Sequence, residues 1–430
     1  MIIKENKSNI LFKWLKLDNA AKIYPSITNS FETNFFRLSA TLYDFVDVDI
    51  LQKALKIIFP RFPYFQVYIK RGLFWFYFEK TEDIIPLTCE KSLPCQKVDL
   101  FNNNFLIKII PYGKRIAVES THILTDGYGL LNFLKSLLLI YLKLKYNENG
   151  DFGDIITPSK EIEEEEYIDA YQKFYKIKTN LPPKKKKAYH IKDKLIGKNK
   201  FEIIRAILPL DLTYKKAKEY GVSVNDFLVA NTLYAYQKYY LENVKSRKKD
   251  IITIAVPVNL RSHYKINTMR NFSYIIDPSI DLNLGVYSFE EILYQVHHFI
   301  RLNNTPKNLL PYLKRNISSE KNIIVKLIPL IFKDFILKIS YNAIGSKPIS
   351  TSLSNLGIVK VPEWMEKYIE SFDFIPSPSP TLKYLIGVIG FKDKIILNFN
   401  KTCKTNKIAQ YFFSNLNNIG IQAKINVSWR

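Results

Sequence analysis

The stretch RIAVESTHILTDGYG, Arg115 to Gly129, organises the reading of this chain. Its first residues alternate in the manner of a half-buried strand, and that strand runs straight into His122. Asp126 and Gly127 follow four and five residues later, giving HxxxDG, and a strongly apolar helix is expected from Leu130 to Leu144. A histidine placed where a strand gives way to a turn projects into a cleft more readily than into a core. With an unperturbed pKa of about 6.5 it is the side chain best poised to take a proton from an alcohol, amine or thiol. The carboxylate need not touch substrate. Buried and paired with an arginine, it would pin the turn that aims the imidazole, and Gly127 would permit the tight backbone entering the helix.

Outward from this point, elements of both kinds alternate. Thr33 to Leu42, Tyr64 to Ile69, Gly72 to Glu79 and Leu106 to Ile110 read as strands, and Asp49 to Phe59 has helical spacing. Glu161 to Asp169 reads as a solvated acidic helix face. Leu181-Pro182-Pro183 and Lys184 to Lys187 form a proline-broken stretch suited to a linker. Beyond it come a strand at Phe201 to Leu208, helices at Asp211 to Tyr220 and Val224 to Tyr240, and a buried strand at Ile251 to Val258. A helix near Ser288 to Leu302 and a strand at Ser352 to Leu356 precede a C-terminal alternation. The expected fold class is mixed α/β, with an N-terminal part over 1–175, a linker over 176–200 and a C-terminal part over 201–430.

Composition narrows the function classes. Hydrophobic residues make up 47% and charged residues 24% of 430, so the chain can build a large core and is not a disordered polyelectrolyte. The formal charge of +23 raises the question of a polyanionic partner. The lysines are scattered, with short runs at 184–187 and 247–249, and no zinc-finger, basic-zipper or RNA-binding aromatic pattern occurs. Nucleic acid is therefore not the expected partner. Cys89, Cys95 and Cys403 match neither a CxxC metal site nor a disulfide framework and are read as reduced. The first residues lack the pattern of a secretory signal, and a cytoplasmic location is expected. Ile323 to Ile339 is apolar but holds Lys326, Lys333, Asp334, Lys338 and Pro329. It reads as helical core or a tunnel wall, with an amphipathic helix lying on lipid as the other reading.

Each of the five histidines can be weighed. His297 and His298 sit mid-helix without a metal-spaced partner, and His190 and His263 lie in loops beside lysines, so no metal site is expected. Gly127-Tyr128-Gly129 after a strand imitates a dinucleotide loop, but Asn132 replaces the third glycine and Asp126 would sit beside the pyrophosphate. GxSxG and GxxxxGK[ST] are absent.

Further segments share an order with HxxxDG: LDNAAKIYP at 17–25, YGVSVNDFL at 220–228, VPVNLR at 256–261, RNFS at 270–273 and SNLG at 354–357. With them the sequence resembles, over most of its length, the chloramphenicol acetyltransferase-like CoA-dependent acyltransferases. The nearest pattern is the alcohol acetyltransferase and condensation-domain branch. Thr121 replaces the first histidine of the condensation form HHxxxDG, and the DFGWG of plant enzymes is missing. The resemblance implies two acyltransferase subdomains with a substrate tunnel between them, acyl-CoA as co-substrate without a permanently bound cofactor, and a monomer. It implies His122 as general base, Asp126 as a structural carboxylate paired with Arg261, and Asn271, Ser354 and Asn355 near the thioester or its oxyanion. The expected reaction is transfer of an acetyl or longer acyl group to a small-molecule alcohol or lipid-like acceptor. N-acylation, a carrier-tethered substrate and a non-catalytic ligand-binding relative are the alternatives. Part of the positive charge would then attract the phosphates of CoA.

Overall fold

Residues 35–42 alternate Phe36, Leu38 and Ala40 with Arg37, Ser39 and Thr41, and a strand sends these two sets to opposite faces. In the computed structural model, Phe35–Leu42 is the second strand of a four-stranded antiparallel sheet. Its order is Ile369–Ile375, Phe35–Leu42, Arg115–Thr121, Ile107–Tyr112. The structure describes residues 12–428 apart from 31, 91–92, 97, 175–176, 178, 181, 183–184, 245–249 and 342–344. The basic run at 247–249, Leu181, Pro183, Lys184 and most of the N-terminal stretch lie outside the described residues.

The apolar face of this sheet carries helices Val48–Ile58 and Gly127–Tyr146. Asp47 caps the first by accepting from Ile50 N. The second is long and apolar enough to cross a membrane by length and composition. Here it is the core helix of its half: Leu130, Phe133, Leu134 and every residue from Leu137 to Leu142 are buried.

The second sheet has eight strands. Its main path runs Ser279–Asp281, Ile251–Asn259, Thr351–Ile358, Tyr384–Phe391, Lys394–Lys401, Glu202–Pro209, Lys424–Ser428, and Ser273–Ile276 pairs with Ile251–Asn259. Thr351–Ile358 runs parallel to both neighbours, while the other pairings are antiparallel. Helix Val224–Asn243 crosses it, flanked by Phe289–Asn303 and Lys407–Asn418. It opens with a reciprocal capping box between Ser223 and Asp226, as the Gly221 break and the serine suggest. A small sheet of Trp14–Lys16, Phe76–Lys80 and Val67–Arg71 completes the described strands. The class is mixed α/β, and the described strands form no closed barrel.

Four sequence expectations differ from the structure. Ile369–Ile375, read with the C-terminal part, hydrogen-bonds to Phe35–Leu42 and extends the N-terminal sheet, because its Phe372 and Phe374 complete that core. Residues 185–200 are no free tether: Tyr189 and Ile191 are buried, Tyr189 N bonds Ile251 O at 2.7 Å and Ile196 N bonds Thr402 O at 2.9 Å. The acidic stretch is not wholly solvated, since Glu166 is buried and receives two bonds from Arg61 (2.7 and 2.8 Å) and one from Tyr64 (2.7 Å). Residues 323–339 split at Pro329 into Ile323–Leu327 and Leu330–Ser340, and most of their large apolar side chains are exposed instead of forming core.

Candidate active site

Strand Arg115–Thr121 ends in a tight turn. Thr121 O accepts from Leu124 N (2.9 Å) and Thr125 N (3.3 Å), and its hydroxyl accepts from Ile123 N (3.3 Å). His122 N still reaches Asn34 O at 3.3 Å, so the histidine is the last residue held by the sheet. Its half-buried ring lies between Phe36 (centroids 4.6 Å apart) and Tyr24 (5.5 Å), each inclined at 27°. Nδ1 is 3.4 Å from Asn271 Oδ1. The amide nitrogen of Asn271 donates to His122 O (2.8 Å) and to Asp18 Oδ2 (3.1 Å), which leaves Oδ1 facing the ring as an acceptor. A neutral imidazole in this setting carries its hydrogen on Nδ1 and its lone pair on Nε2. Loss of hydration pulls the His122 pKa below its ordinary value, against the field of Asp126, the Asn271 contact and the Thr125 backbone.

Asp126 turns away from the imidazole. It caps helix Gly127–Tyr146 through Gly129 N (3.2 Å), accepts from Phe272 N (2.9 Å), and meets Arg261 in a fork: Nη1 to Oδ2 at 2.8 Å and Nη2 to Oδ1 at 3.1 Å. Arg261 spends its remaining hydrogens on Thr268 O (2.8 Å), Arg270 O (2.5 Å), Phe272 O (3.3 Å) and Asn259 Oδ1 (3.2 Å), and its guanidinium lies 4.3 Å from the Tyr128 ring. Both partners of this pair are almost fully buried, and 135 residues separate them. Residues 268–272 thereby become a strap from the C-terminal half across the HxxxDG turn. Thr125 closes it with a bond to Met269 O at 2.6 Å.

The requirement for glycine sits two residues later than expected. A Cβ on Gly127 would meet only the tip of Leu356, at 2.7 Å, and Gly127 shows no left-handed backbone. A Cβ on Gly129 would stand 2.2 Å from both Met269 O and Thr125 Oγ1, inside the strap itself.

The three residues expected near the thioester separate. Asn271 stands beside His122, but its amide hydrogens are already committed, so it positions the ring and has none left for an oxyanion. Asn355 is turned to Asn225 (Nδ2 to Oδ1, 3.4 Å) and accepts from Gly357 N (2.9 Å). Ser354 is half-buried on the same strand, two residues from the Leu356 side chain that crosses Gly127. A polar cavity of about 220 Å³ separates the two large sheets, but it is lined by Arg37, Arg115, Arg205 and Asp373 on the face of Phe35–Leu42 opposite Phe36 and does not include His122. His297 bonds Asp226 (2.9 Å) and His263 bonds Asn304 (2.8 Å), partners invisible in the sequence. Among the described residues, no group of three or more His, Cys, Asp or Glu is arranged to hold a metal ion.

Asp18 was not singled out as a site residue, although it lies in the 17–25 segment. It is fully buried, accepts from Ala21 N (2.8 Å) and holds Asn271 from behind. Burial pushes its pKa up to about 6, with Asp169 adding to the rise and Arg270 opposing it. Asp18, Asn271 and His122 thus form a chain in which a neutral amide stands between carboxyl and imidazole. Tyr24 and Phe36 were also missed as the walls of the ring, because an aromatic in a strand or short helix carries no local mark of what it stacks on.

No protein-family model and no curated protein matches the sequence. Solved structures do match its fold. Polyketide synthase associated protein 5 from Mycobacterium tuberculosis aligns over 94% of this chain and 97% of its own, at 13% identity and a TM-score of 0.61. TRI101 of F. graminearum, complexed with coenzyme A and deoxynivalenol, aligns over 95% and 99%, at 11% identity and 0.63. The starter condensation domain of rhizomide synthetase aligns over 93% and 92%, at 10% identity and 0.57. The chain has the chloramphenicol acetyltransferase-like fold. Within that fold the HxxxDG turn, the Arg261 fork and the 268–272 strap are this chain's own geometry.

Proposed function

We propose that the chain is an acyl-CoA-dependent acyltransferase that moves an acetyl or longer acyl group onto an alcohol, with His122 as general base. The observation that carries this is the setting of His122: a ring clamped between two aromatics, with Nδ1 facing Asn271 Oδ1 and burial holding its pKa below the ordinary value, which suits a base that takes its proton on Nε2. TRI101, similar in fold, is crystallised with coenzyme A and deoxynivalenol, which supports a CoA thioester and a small-molecule acceptor here.

In this reading the acceptor O–H gives its proton to Nε2 while its oxygen bonds to the thioester carbonyl carbon. The tetrahedral oxyanion then collapses, the C–S bond breaks, and the departing CoA thiolate takes the proton back from the imidazolium. The ring ends neutral, as it began. Asn271 holds ring and tautomer, and Ser354 is the candidate donor to the oxyanion. Base assistance of this kind contributes about 10²–10⁴ in rate. The test is thiol release from acetyl-CoA and longer acyl-CoAs offered with alcohol, amine and glycolipid acceptors. Alcohol-dependent release that falls by about 10²–10⁴ in His122→Ala is expected; full turnover by that variant would sink the mechanism. Acyl-CoA affinity without release with any acceptor would mark a binding protein instead.

A further inference from the structure

A helix on the surface of a water-soluble protein turns its apolar stripe inward and its charges outward. Leu330–Ser340 does the reverse. Lys333 is only 3% exposed; its ammonium donates to Phe74 O (3.0 Å) and Lys326 O (3.1 Å) and sits 3.9 Å from the centre of the Trp75 ring. Ile331, Phe332, Phe335 and Ile336 face water, at 77, 63, 66 and 49% exposure. Ile323 and Leu327 of the preceding short helix are exposed to a similar degree, as is Leu73 at the tip of the Val67–Arg71 and Phe76–Lys80 hairpin. That tip is fastened to the helix by Leu330 N to Leu73 O at 2.8 Å, so the orientation is held by specific bonds on both sides.

An apolar surface of this kind is rare on proteins that stay in water. Its charges favour one occupant. Apart from the inward-turned Lys333, residues 321–340 hold Lys321, Lys326 and Lys338 against Asp334 alone, and Asp334 is already flanked by Lys338 (3.5 Å) and Arg71 (3.9 Å). A second copy of the chain docking through a two-fold axis would set this basic rim against itself. A bilayer with anionic headgroups complements both features, taking the apolar side chains into the acyl boundary while the lysines meet the headgroups.

We propose that the face formed by Ile323–Leu327, Leu330–Ser340 and the 72–75 hairpin tip docks on an anionic lipid surface. The docked helix packs against Tyr24–Ile27, whose Tyr24 stacks on His122, so a single short helix separates the lipid face from the imidazole. The inference does not depend on acyl transfer.

Co-sedimentation of the full chain with phosphatidylcholine vesicles, with and without phosphatidylserine, tests it. Pelleting with the serine-lipid vesicles, weakened by salt, is expected. Ile331→Ser/Phe335→Ser should lower vesicle affinity by about tenfold or more at an unchanged unfolding midpoint, because both side chains already face water. Leu73→Ser on the hairpin should weaken binding without altering the helix, and Lys326→Glu/Lys338→Glu should remove the preference for phosphatidylserine. Wild-type protein that stays in the supernatant with both vesicle types overturns the proposal, and so does undiminished binding by the double serine variant. Lipid-free dimerisation abolished by that same variant would overturn it in favour of self-association.

Discussion

His122 and Asp126 stand four residues apart and share no hydrogen bond, whereas His297 and Asp226, 71 residues apart, are joined at 2.9 Å. In the second pair the carboxylate serves the histidine and the Ser223 capping box together, an arrangement that fastens helix Phe289–Asn303 to helix Val224–Asn243. In the first, the carboxylate is spent on Arg261 and the helix N-terminus, and the imidazole faces a neutral amide. Desolvation then outweighs the attraction of Asp126, and the ring stays unprotonated to lower pH. Contact between a histidine and a carboxylate marks structure here, while their separation leaves the His122 ring against a neutral amide, as the proposed base requires.

The largest way to break this contrast is Arg261→Ala, which leaves Asp126 charged and buried without a cation. A loss of about 3–5 kcal/mol of stability is expected, measured by denaturant unfolding, with activity falling alongside it. An unchanged midpoint would show that the fork does not hold the turn. Gly129→Ala should cost about 3 kcal/mol by forcing the 268–272 strap off the helix, and Gly127→Ala about 1 kcal/mol, since Leu356 can move; equal costs would refute the assignment of the close approach to Gly129.

Asn271→Ala removes the bond that sets tautomer and ring angle. A kcat about tenfold lower with KM little changed is expected, equivalent to one hydrogen bond of ~1.4 kcal/mol. Steady-state kinetics with a saturating acceptor decides it. The pH profile sharpens the same point. In the proposed mechanism neutral imidazole is the active form, so kcat/KM should fall on the acid side with a midpoint below 6.5, because burial depresses the folded pKa. The unfolded chain takes up that proton first, so the His122 contribution to stability, present above 6.5, is lost as pH falls through the folded value. Asp18 acts in the opposite sense: its contribution is complete below the ordinary carboxylate value and disappears as pH rises through about 6. An acid limb above 6.5 would contradict the desolvated site. The smallest effect is expected of His297→Gln, about 1 kcal/mol of stability and no change in turnover; lost turnover would overturn the contrast between the pairs.

Local pattern made much of this legible. Strand alternation before His122, the apolar run after Gly129 and the Gly221-Val222-Ser223 break before helix Val224–Asn243 are decided by neighbours a few residues away, so they can be read from the chain. The resemblance carried by HxxxDG and VPVNLR names both ends of the Asp126–Arg261 fork from the sequence alone. Asp18, Tyr24 and Phe36 could not be found in this way, since each owes its place to a partner far along the chain: Asn271 for Asp18, and His122 for Tyr24 and Phe36.

The sequence by itself determined the mixed α/β class, the strand-turn-helix that presents His122 and the residue types able to move a proton. Only the tertiary structure decided which carboxylate meets which cation, that the Asn271 amide is bonded to Asp18 and to His122 O, and that Ile369–Ile375 crosses to the other sheet. It also decided that Leu330–Ser340 turns Lys333 inward and its apolar face out. The physical reason is that periodicity records which residues share a face, whereas the direction of that face depends on what packs behind it. For Lys333 that is the hairpin carbonyl of Phe74 and the ring of Trp75, more than 250 residues earlier in the chain.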